Sequence, residues 1–293
     1  MTANPKPVAP PVAHVADPPA QISPPDSVFA SSVIEVEHYT ESLFRFRLTR
    51  PPSFRFRSGE FVMLGLPPKT ADDRPIWRAY SIASSVWEDS LEFYSIKVAN
   101  GPLTQHLQKI KPGDPVWFRK KATGTLVLDA LLAGKRLWLI STGTGFAPFA
   151  ALIRDPETYE KFEEVVVTHT CRHIKDLAYS QAVVKASKAD PLVGEMAAKQ
   201  LVYIASTTRE EEGGDQPQRP PILCKGRITQ LLRGNILCEA AKLPPLDPSQ
   251  DRVMICGSIA MLKDVRALVE ELGFSEGANS APGQFVVERA FVG

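Results

Sequence analysis

The sequence predicts two domains in tandem: an antiparallel barrel or sandwich of six short strands, then an α/β unit with a doubly wound parallel sheet. Three observations carry that expectation. The length, 293 residues, suits about two domains. Residues 33–120 alternate apolar and polar side chains in short runs between Pro, Gly and Asp turn signals. Past Leu132 the texture switches to β-branched apolar strands separated by helical stretches, the pattern of a parallel sheet covered on both faces. The boundaries fall at a tail over 1–30, a first domain over 31–133 and a second over 134–293.

The tail comes first. It holds eight prolines in its first 25 positions and hardly a large apolar side chain. Such a segment buries too little surface to offset its ordering entropy, so residues 1–27 are expected to be disordered. They show neither the regions of a secretory signal nor the arginines of a transit peptide, and a cytoplasmic location is expected. Strands are expected over 33–39, 43–49, 61–65, 80–82, 91–97 and 115–120. Pro51-Pro52, Ser58-Gly59, Pro67-Pro68 and Pro112-Gly113-Asp114 punctuate them. In the second domain, strands over 137–140, 164–170, 200–205 and 252–256 alternate with helices. These start from Ala147 or cover 178–189, 229–233 and 259–272, with Gly273 as the last stop. Residues 210–221, EEEGGDQPQRPP, read as a surface loop.

Composition excludes several classes. A formal net charge of +1 provides no global field for nucleic acid or a membrane surface. The cysteines Cys171, Cys224, Cys238 and Cys256 lie far apart without a C-x-x-C, and the five histidines show no ligand spacing. No metal site is expected, and a reducing compartment is. The longest uncharged run, 137–153, is too short and too broken by Gly143, Gly145 and Pro148 to span a membrane.

That same run, LWLISTGTGFAPFAALI, carries the first chemical signal. An apolar strand enters Ser141-Thr142-Gly143-Thr144-Gly145 and then a helix with Pro148 in its first turn. Unpaired N–H groups and the positive end of the helix dipole converge there, which suits a phosphate. Taken alone, G-x-G reads equally well as an ordinary βα turn. Upstream, Arg78-Ala79-Tyr80-Ser81 sets a guanidinium beside an aromatic ring on one strand face. The pair suits a ligand with a diphosphate and a flat heterocycle, and a surface Arg near a core Tyr is the plainer alternative. Gly101-Pro102-Leu103-Thr104 opens an amphipathic stretch through Leu107 and Ile110, a second anion-binding turn or a plain loop. Arg172, Arg209 and Arg227 stand just past successive strand ends, the edge where such sheets bind ligands.

Five motifs in order now form a resemblance. They are Arg78-x-Tyr80-Ser81; Ser95-Ile96-Lys97-Val98 with Gly101-Pro102-Leu103-Thr104; Thr142-Gly143-Thr144-Gly145-Phe146-Ala147-Pro148; Cys256-Gly257-Ser258; and Ala290-Phe291-Val292-Gly293. From about Val33 to its end, the chain resembles the bacterial ferredoxin (flavodoxin)–NADP+ reductases. The resemblance implies a six-stranded antiparallel FAD barrel followed by an NADP-binding α/β domain. It places Arg78 on the FAD diphosphate, with Ala79, Tyr80 and Ser81 at the isoalloxazine and Ser81 near N5. Ser95, Ile96, Lys97 and Val98 would line the flavin, while Gly101, Pro102, Leu103 and Thr104 would meet its diphosphate. Thr142, Gly143, Thr144 and Gly145 would hold the NADP diphosphate, and Thr208, Arg209, Arg227 and Arg172 its 2′-phosphate. Phe291 would cover the FAD adenine, with Ala290 beside the ring system.

Ser81, Cys256 and Glu288 are the implied catalytic residues: Cys256 packs on the nicotinamide and Glu288 assists proton movement or docking. A buried core thiol and a lone exposed acid are the plainer alternatives. The chain lacks a C-x4-C-x2-C run, so the electron acceptor is expected to be another molecule. Arg78, Lys97, Lys120 and Lys121 would attract an acidic ferredoxin or flavodoxin, and the protein is expected to be a monomer. Rival readings are an oxygenase reductase component, a free-flavin reductase, or a flavin redox sensor without turnover. Two positions depart from the family pattern, Ile259 for proline and Thr170 for glycine, both expected in loops around the bound nucleotide.

Overall fold

Residues 44–49 alternate buried and more exposed side chains, whereas residues 90–95 are buried throughout, around a core of stacked phenylalanines. The computed structural model describes residues 22–68, 70, 72–98, 100–210 and 222–288. Positions 1–21, most of the 210–221 loop, Ala290 and Phe291 lie outside them. The first sheet comprises β1 (Val28–His38), β2 (Leu43–Thr49), β3 (Phe61–Gly65), β4 (Arg78–Ser81), β5 (Ser90–Ile96) and β6 (Pro115–Arg119). Their order is β4-β3-β6-β1-β2-β5, antiparallel throughout. The outer strands β4 and β5 nearly close it: Tyr80 Oη lies 3.1 Å from Ser95 Oγ, and Ala83 N–H donates to Glu92 O at 2.8 Å. Phe44, Phe46, Phe54, Phe93, Phe118 and Trp117 are buried inside or beneath it.

Strand β1 begins five residues earlier than the sequence pattern indicates. Val28–Ser32 pairs with β6 and the rest with β2, and the register slips between Val33 and Glu35 around the exposed Ile34. A bulge bends one strand to serve two neighbours. Partnership with β6, remote in sequence, creates the early start. The expected helix after Gly101 is a single turn, α1 (Thr104–Leu107), cut short because the chain must enter β6.

The second sheet is parallel. It holds β7 (Arg136–Thr142), β8 (Glu164–Cys171), β9 (Leu201–Thr207), β10 (Leu223–Lys225), β11 (Asp251–Cys256) and β12 (Phe285–Val287) in the order β10-β9-β8-β7-β11-β12. Leu137, Leu139, Val165 and Val167 face one core with α2 (Ala147–Leu152), α3 (Pro156–Lys161), α4 (Ala178–Ala189) and α5 (Gly194–Gln200). Trp138, Ile140, Val166 and Val253 face another with α6 (Ile228–Arg233), α7 (Ile236–Ala241) and α8 (Ile259–Glu271). The sheet is therefore doubly wound, with both faces covered. The elements β10, β12, α3, α5 and α7 were not legible in the pattern, each being seven residues or fewer. At the amino ends of the inner strands β7 and β11, Asp251 accepts from Arg136 at 2.6 and 2.7 Å and from the Trp138 indole at 2.9 Å.

The two units share a core. Leu43, Ala83 and Tyr94 of the barrel pack with Phe146, Phe149 and Tyr179, and Tyr94 stacks on Tyr179 at 4.1 Å. Beside them the buried Glu92 carboxylate of β5 accepts from Arg154 at 3.2 Å and from the Tyr179 hydroxyl at 2.8 Å, with Arg45 at 3.4 Å. Burial alone would raise Glu92, but Arg154, Tyr179 and Arg45 outweigh it and hold the carboxyl below its ordinary range. Ser58 Oγ donates to Asp155 at 2.6 Å, and Trp87, mostly exposed, points its indole N–H at the same carboxylate.

Candidate active site

Chain order makes β7 the switch strand: β8, β9 and β10 run to one side of it and β11 and β12 to the other. Ligands bind at such a crevice, outside the carboxyl ends of the strands. There the chain leaves β7 through a 3-10 turn, Gly143–Phe146, into α2, with Pro148 at the helix start. Gly143 takes a left-handed φ of 54°, and a side chain there would meet nothing within 4 Å. Open space lies over the turn. Gly145 is the opposite case. A Cβ on it would come within 2.6 Å of the Cys256 carbonyl carbon and 2.7 Å of the Gly257 nitrogen. The turn is thus pressed against the end of β11, and Thr142 Oγ1 accepts from Ser258 N–H at 3.2 Å. A diphosphate fits a backbone cradle of this kind.

The strand-end arginines converge as the sequence suggested. Thr208 N–H donates to Cys171 O at 3.1 Å and Arg209 N–H to Arg172 O at 3.0 Å. Gly226 N–H donates to Thr207 O at 2.9 Å, which brings Arg227 to the same edge. Arg172, Thr208, Arg209 and Arg227 are exposed, and among the described residues none of the three guanidinium groups pairs with a carboxylate. Three guanidinium groups without a carboxylate partner among the described residues suit an anion.

On the barrel side, Arg78 is exposed and Ala79 half-buried, whereas Tyr80 and Ser81 are buried. Tyr80 lies edge-on to Phe46 and Phe93 in the barrel core. Next to Ser95, Ile96 and Val98 are 44% and 48% exposed around Lys97. Exposed apolar residues and an exposed guanidinium without a carboxylate partner among the described residues, its Nη1 donating to Trp77 O at 2.8 Å, suit a molecule with a flat apolar body and a charged arm. Thr104 Oγ1 and Gly101 N–H both bond back to Val98 O, drawing Pro102 and Leu103 into a tight turn. Lys120 and Lys121 are exposed past β6, where Lys120 sits over Phe29.

Cys256 and Glu288 come together at the seam. Cys256 is fully buried, and burial, with Glu288 adding to it, pushes its thiol well above the ordinary range. Glu288 is 4% exposed, which rules out the alternative of a lone exposed acid: its N–H donates to Ile255 O, extending β12 along β11. Thr170 and Ile259 also differ from expectation. Thr170 lies inside β8, its hydroxyl 2.6 Å from Ser206 Oγ, and Ile259 opens α8 behind the Ser258 cap. The pairing of β8 with β9 and the cap make both positions regular structure. Among the described residues no group of side chains could hold a metal.

His169 was not singled out as part of the site. It is buried in β8 with Nε2 2.8 Å from Gly143 O and Nδ1 2.7 Å from Ser180 Oγ. Burial pushes its imidazole down to about 4, against the opposing pull of the Gly143 carbonyl. The unfolded chain takes up this proton below about 6.5 and the folded one only below about 4, so stability falls with pH across that window. The share is about 3 kcal/mol at most. A His169→Gln variant is expected to lose it, seen as a smaller drop in urea midpoint between about pH 7 and about pH 5.

Comparison with known proteins decides the family. Residues 31–126 match the oxidoreductase FAD-binding domain and residues 139–267 the oxidoreductase NAD-binding domain. The flavodoxin/ferredoxin–NADP reductase of Rhodobacter capsulatus is 52% identical over 266 residues, 90% of this chain and 93% of that one. The chain belongs to the ferredoxin/flavodoxin–NADP reductase family. The ferredoxin–NADP reductase of Pseudomonas aeruginosa is 43% identical over 91% of this reductase and 98% of its own length. The crystal structure of a ferredoxin NADP+ reductase from Neisseria gonorrhoeae with bound FAD and NADP superposes with a TM-score of 0.78. It is 29% identical and covers 90% of this reductase and 99% of itself. The reductase therefore joins an FAD barrel to an NADP-binding sheet, and no helix among its described residues is long and apolar enough to cross a membrane.

Proposed function

We propose that the protein passes a hydride between NADP(H) and FAD at the seam, and single electrons between FAD and a ferredoxin or flavodoxin. The contact of the Gly145 turn with the end of β11, beside the barrel, carries this reading. Bound FAD supplies the conversion between two-electron and one-electron chemistry. The chain supplies position. Arg78 and the turn at Gly101, Pro102, Leu103 and Thr104 hold the FAD diphosphate. Ala79, Tyr80, Ser81, Ser95, Ile96, Lys97 and Val98 bound its ring, as the family resemblance assigns them. Thr142, Gly143, Thr144 and Gly145 hold the NADP diphosphate while Arg209, Arg227, Thr208 and Arg172 take the 2′-phosphate. Cys256 stays a neutral thiol against the nicotinamide, and Glu288 behind it handles a proton. Phe291 and Ala290, outside the described residues, keep the FAD-covering role that the resemblance gives them.

An acidic carrier would dock on Arg78, Lys97, Lys120 and Lys121, and the protein would work as a cytoplasmic monomer. The visible spectrum tests the core of the reading: flavin bands that bleach on anaerobic NADPH support it, and bands that persist refute it. Replacing Arg209 and Arg227 together with Ala should cut the preference for NADPH over NADH by about 100-fold, as two charge-assisted contacts are lost. Unchanged discrimination in steady-state kinetics would remove both residues from the site.

A further inference from the structure

Beneath the nucleotide turn lies a buried line of polar groups that the reading above does not use. His169 Nε2 stands 2.8 Å from Gly143 O, Nδ1 2.7 Å from Ser180 Oγ on α4, and Ser180 Oγ 2.8 Å from Tyr203 Oη on β9. His169 and Ser180 have no solvent exposure, and the Phe146 ring lies 5.0 Å from the imidazole.

Proton positions along this line follow from what each group can do. A carbonyl only accepts, so the Nε2 facing Gly143 O carries a hydrogen; Cys171 Sγ also lies 3.3 Å from Nε2, but its thiol hydrogen has the Asp176 carbonyl at 3.6 Å. In the neutral ring Nδ1 is then an acceptor and needs a donor, which is Ser180. Leu177 O also lies 2.9 Å from Ser180 Oγ, but the hydroxyl has one proton, and spending it there leaves Nδ1 a buried acceptor without a donor. Ser180 in turn accepts from the Tyr203 hydroxyl, whose burial keeps it protonated. Every donor in the line points towards Gly143.

The consequence falls on the next amide. The chain has no cis peptide among its described residues, and in a planar trans peptide the C=O and the following N–H point in opposite directions. Fixing Gly143 O inward on His169 therefore aims Thr144 N–H outward, towards the open side of the turn. Glycine with φ of 54° adds no side-chain restraint of its own to this peptide, and the His169 contact adds one to that of the 3-10 turn. We propose that His169, braced by Ser180 and Tyr203, is a positioning residue that holds the Gly143–Thr144 peptide with its N–H presented to the dinucleotide diphosphate. This rests on the assignment of the turn to NADP(H).

The test measures dissociation constants of NADP+ and of adenosine 2′-monophosphate, which lacks the diphosphate, by difference spectroscopy on the FAD-loaded protein. Wild-type binding of NADP+ checks the functional reading separately. His169→Leu is expected to weaken NADP+ about 10-fold, the loss of one charge-assisted contact, and to leave adenosine 2′-monophosphate unchanged. His169→Gln, which restores an N–H at similar reach, should recover most of the loss. Tyr203→Phe removes only the far donor and should weaken NADP+ about 3-fold through lost polarisation. Should His169→Leu fail to retain FAD, Tyr203→Phe decides. Unchanged NADP+ affinity, or equal weakening of both ligands, overturns the proposal.

Discussion

Gly145→Ala is expected to lower NADPH-dependent reduction of the flavin by about 100-fold, the cost of displacing a reacting group by about 1 Å. The added methyl would lie within 2.6 Å of the Cys256 carbonyl carbon and 2.7 Å of the Gly257 nitrogen, both backbone atoms. Neither can rotate away, as a side chain would. The turn must back off from β11, carrying the nucleotide with it. Arg78 and the barrel are untouched by this shift, so FAD should stay bound. Stopped-flow reduction by NADPH, alongside the flavin content of the purified variant, separates the two effects. A variant that reduces at the wild-type rate would show that the turn does not set the distance between the cofactors.

Glu92→Ala should destabilise the protein by about 1.5–3 kcal/mol, the loss of charged hydrogen bonds, because Arg154 keeps Glu88 at 3.3 Å and Arg45 keeps Glu37 at 2.7 Å. Arg154, 17% exposed along its side chain, would lose its carboxylate at 3.2 Å, and the Tyr179 hydroxyl would lose its acceptor at 2.8 Å. Because Glu92 belongs to the barrel and Arg154 and Tyr179 to the second unit, the damage falls on the seam. Urea unfolding followed by far-UV circular dichroism measures it. An unchanged midpoint would mean that the cluster contributes no net stability. Replacing Glu92 with Gln, which still accepts from Tyr179, should cost less.

Both effects arise from contacts that the sequence does not announce. The fold was largely legible: alternation through 43–49 and 91–97 marks barrel strands, and the apolar β-branched runs at 164–170 and 252–256 mark a parallel sheet. The residues proposed to face the ligands stand out in the sequence where they sit in turns of distinctive composition, as in Thr142-Gly143-Thr144-Gly145, or in a motif such as Arg78-x-Tyr80-Ser81. What stayed hidden depends on residues far apart in the chain. His169 meets Gly143 across 26 positions, Glu92 meets Arg154 across 62, and Val28–Ser32 becomes a strand only against β6. That Glu288 is buried was not legible either, because nothing near it shows that β12 lies along β11. Local pattern reports the element, and pairing between elements reports the site.

The placement of tryptophans gives the protein an internal optical record of its own assembly. Trp117 is buried under the barrel and Trp138 inside the second sheet, while Trp87 stands 67% exposed at the seam. Each half thus carries one shielded indole whose emission shifts to the red when that half opens; the half-buried Trp77, under the Arg119 guanidinium at 4.5 Å, adds to the barrel's signal, and Trp87, already in water, marks the joint. With a flavin bound near the seam as a quencher, loss of the cofactor and melting of either half leave different fluorescence signatures.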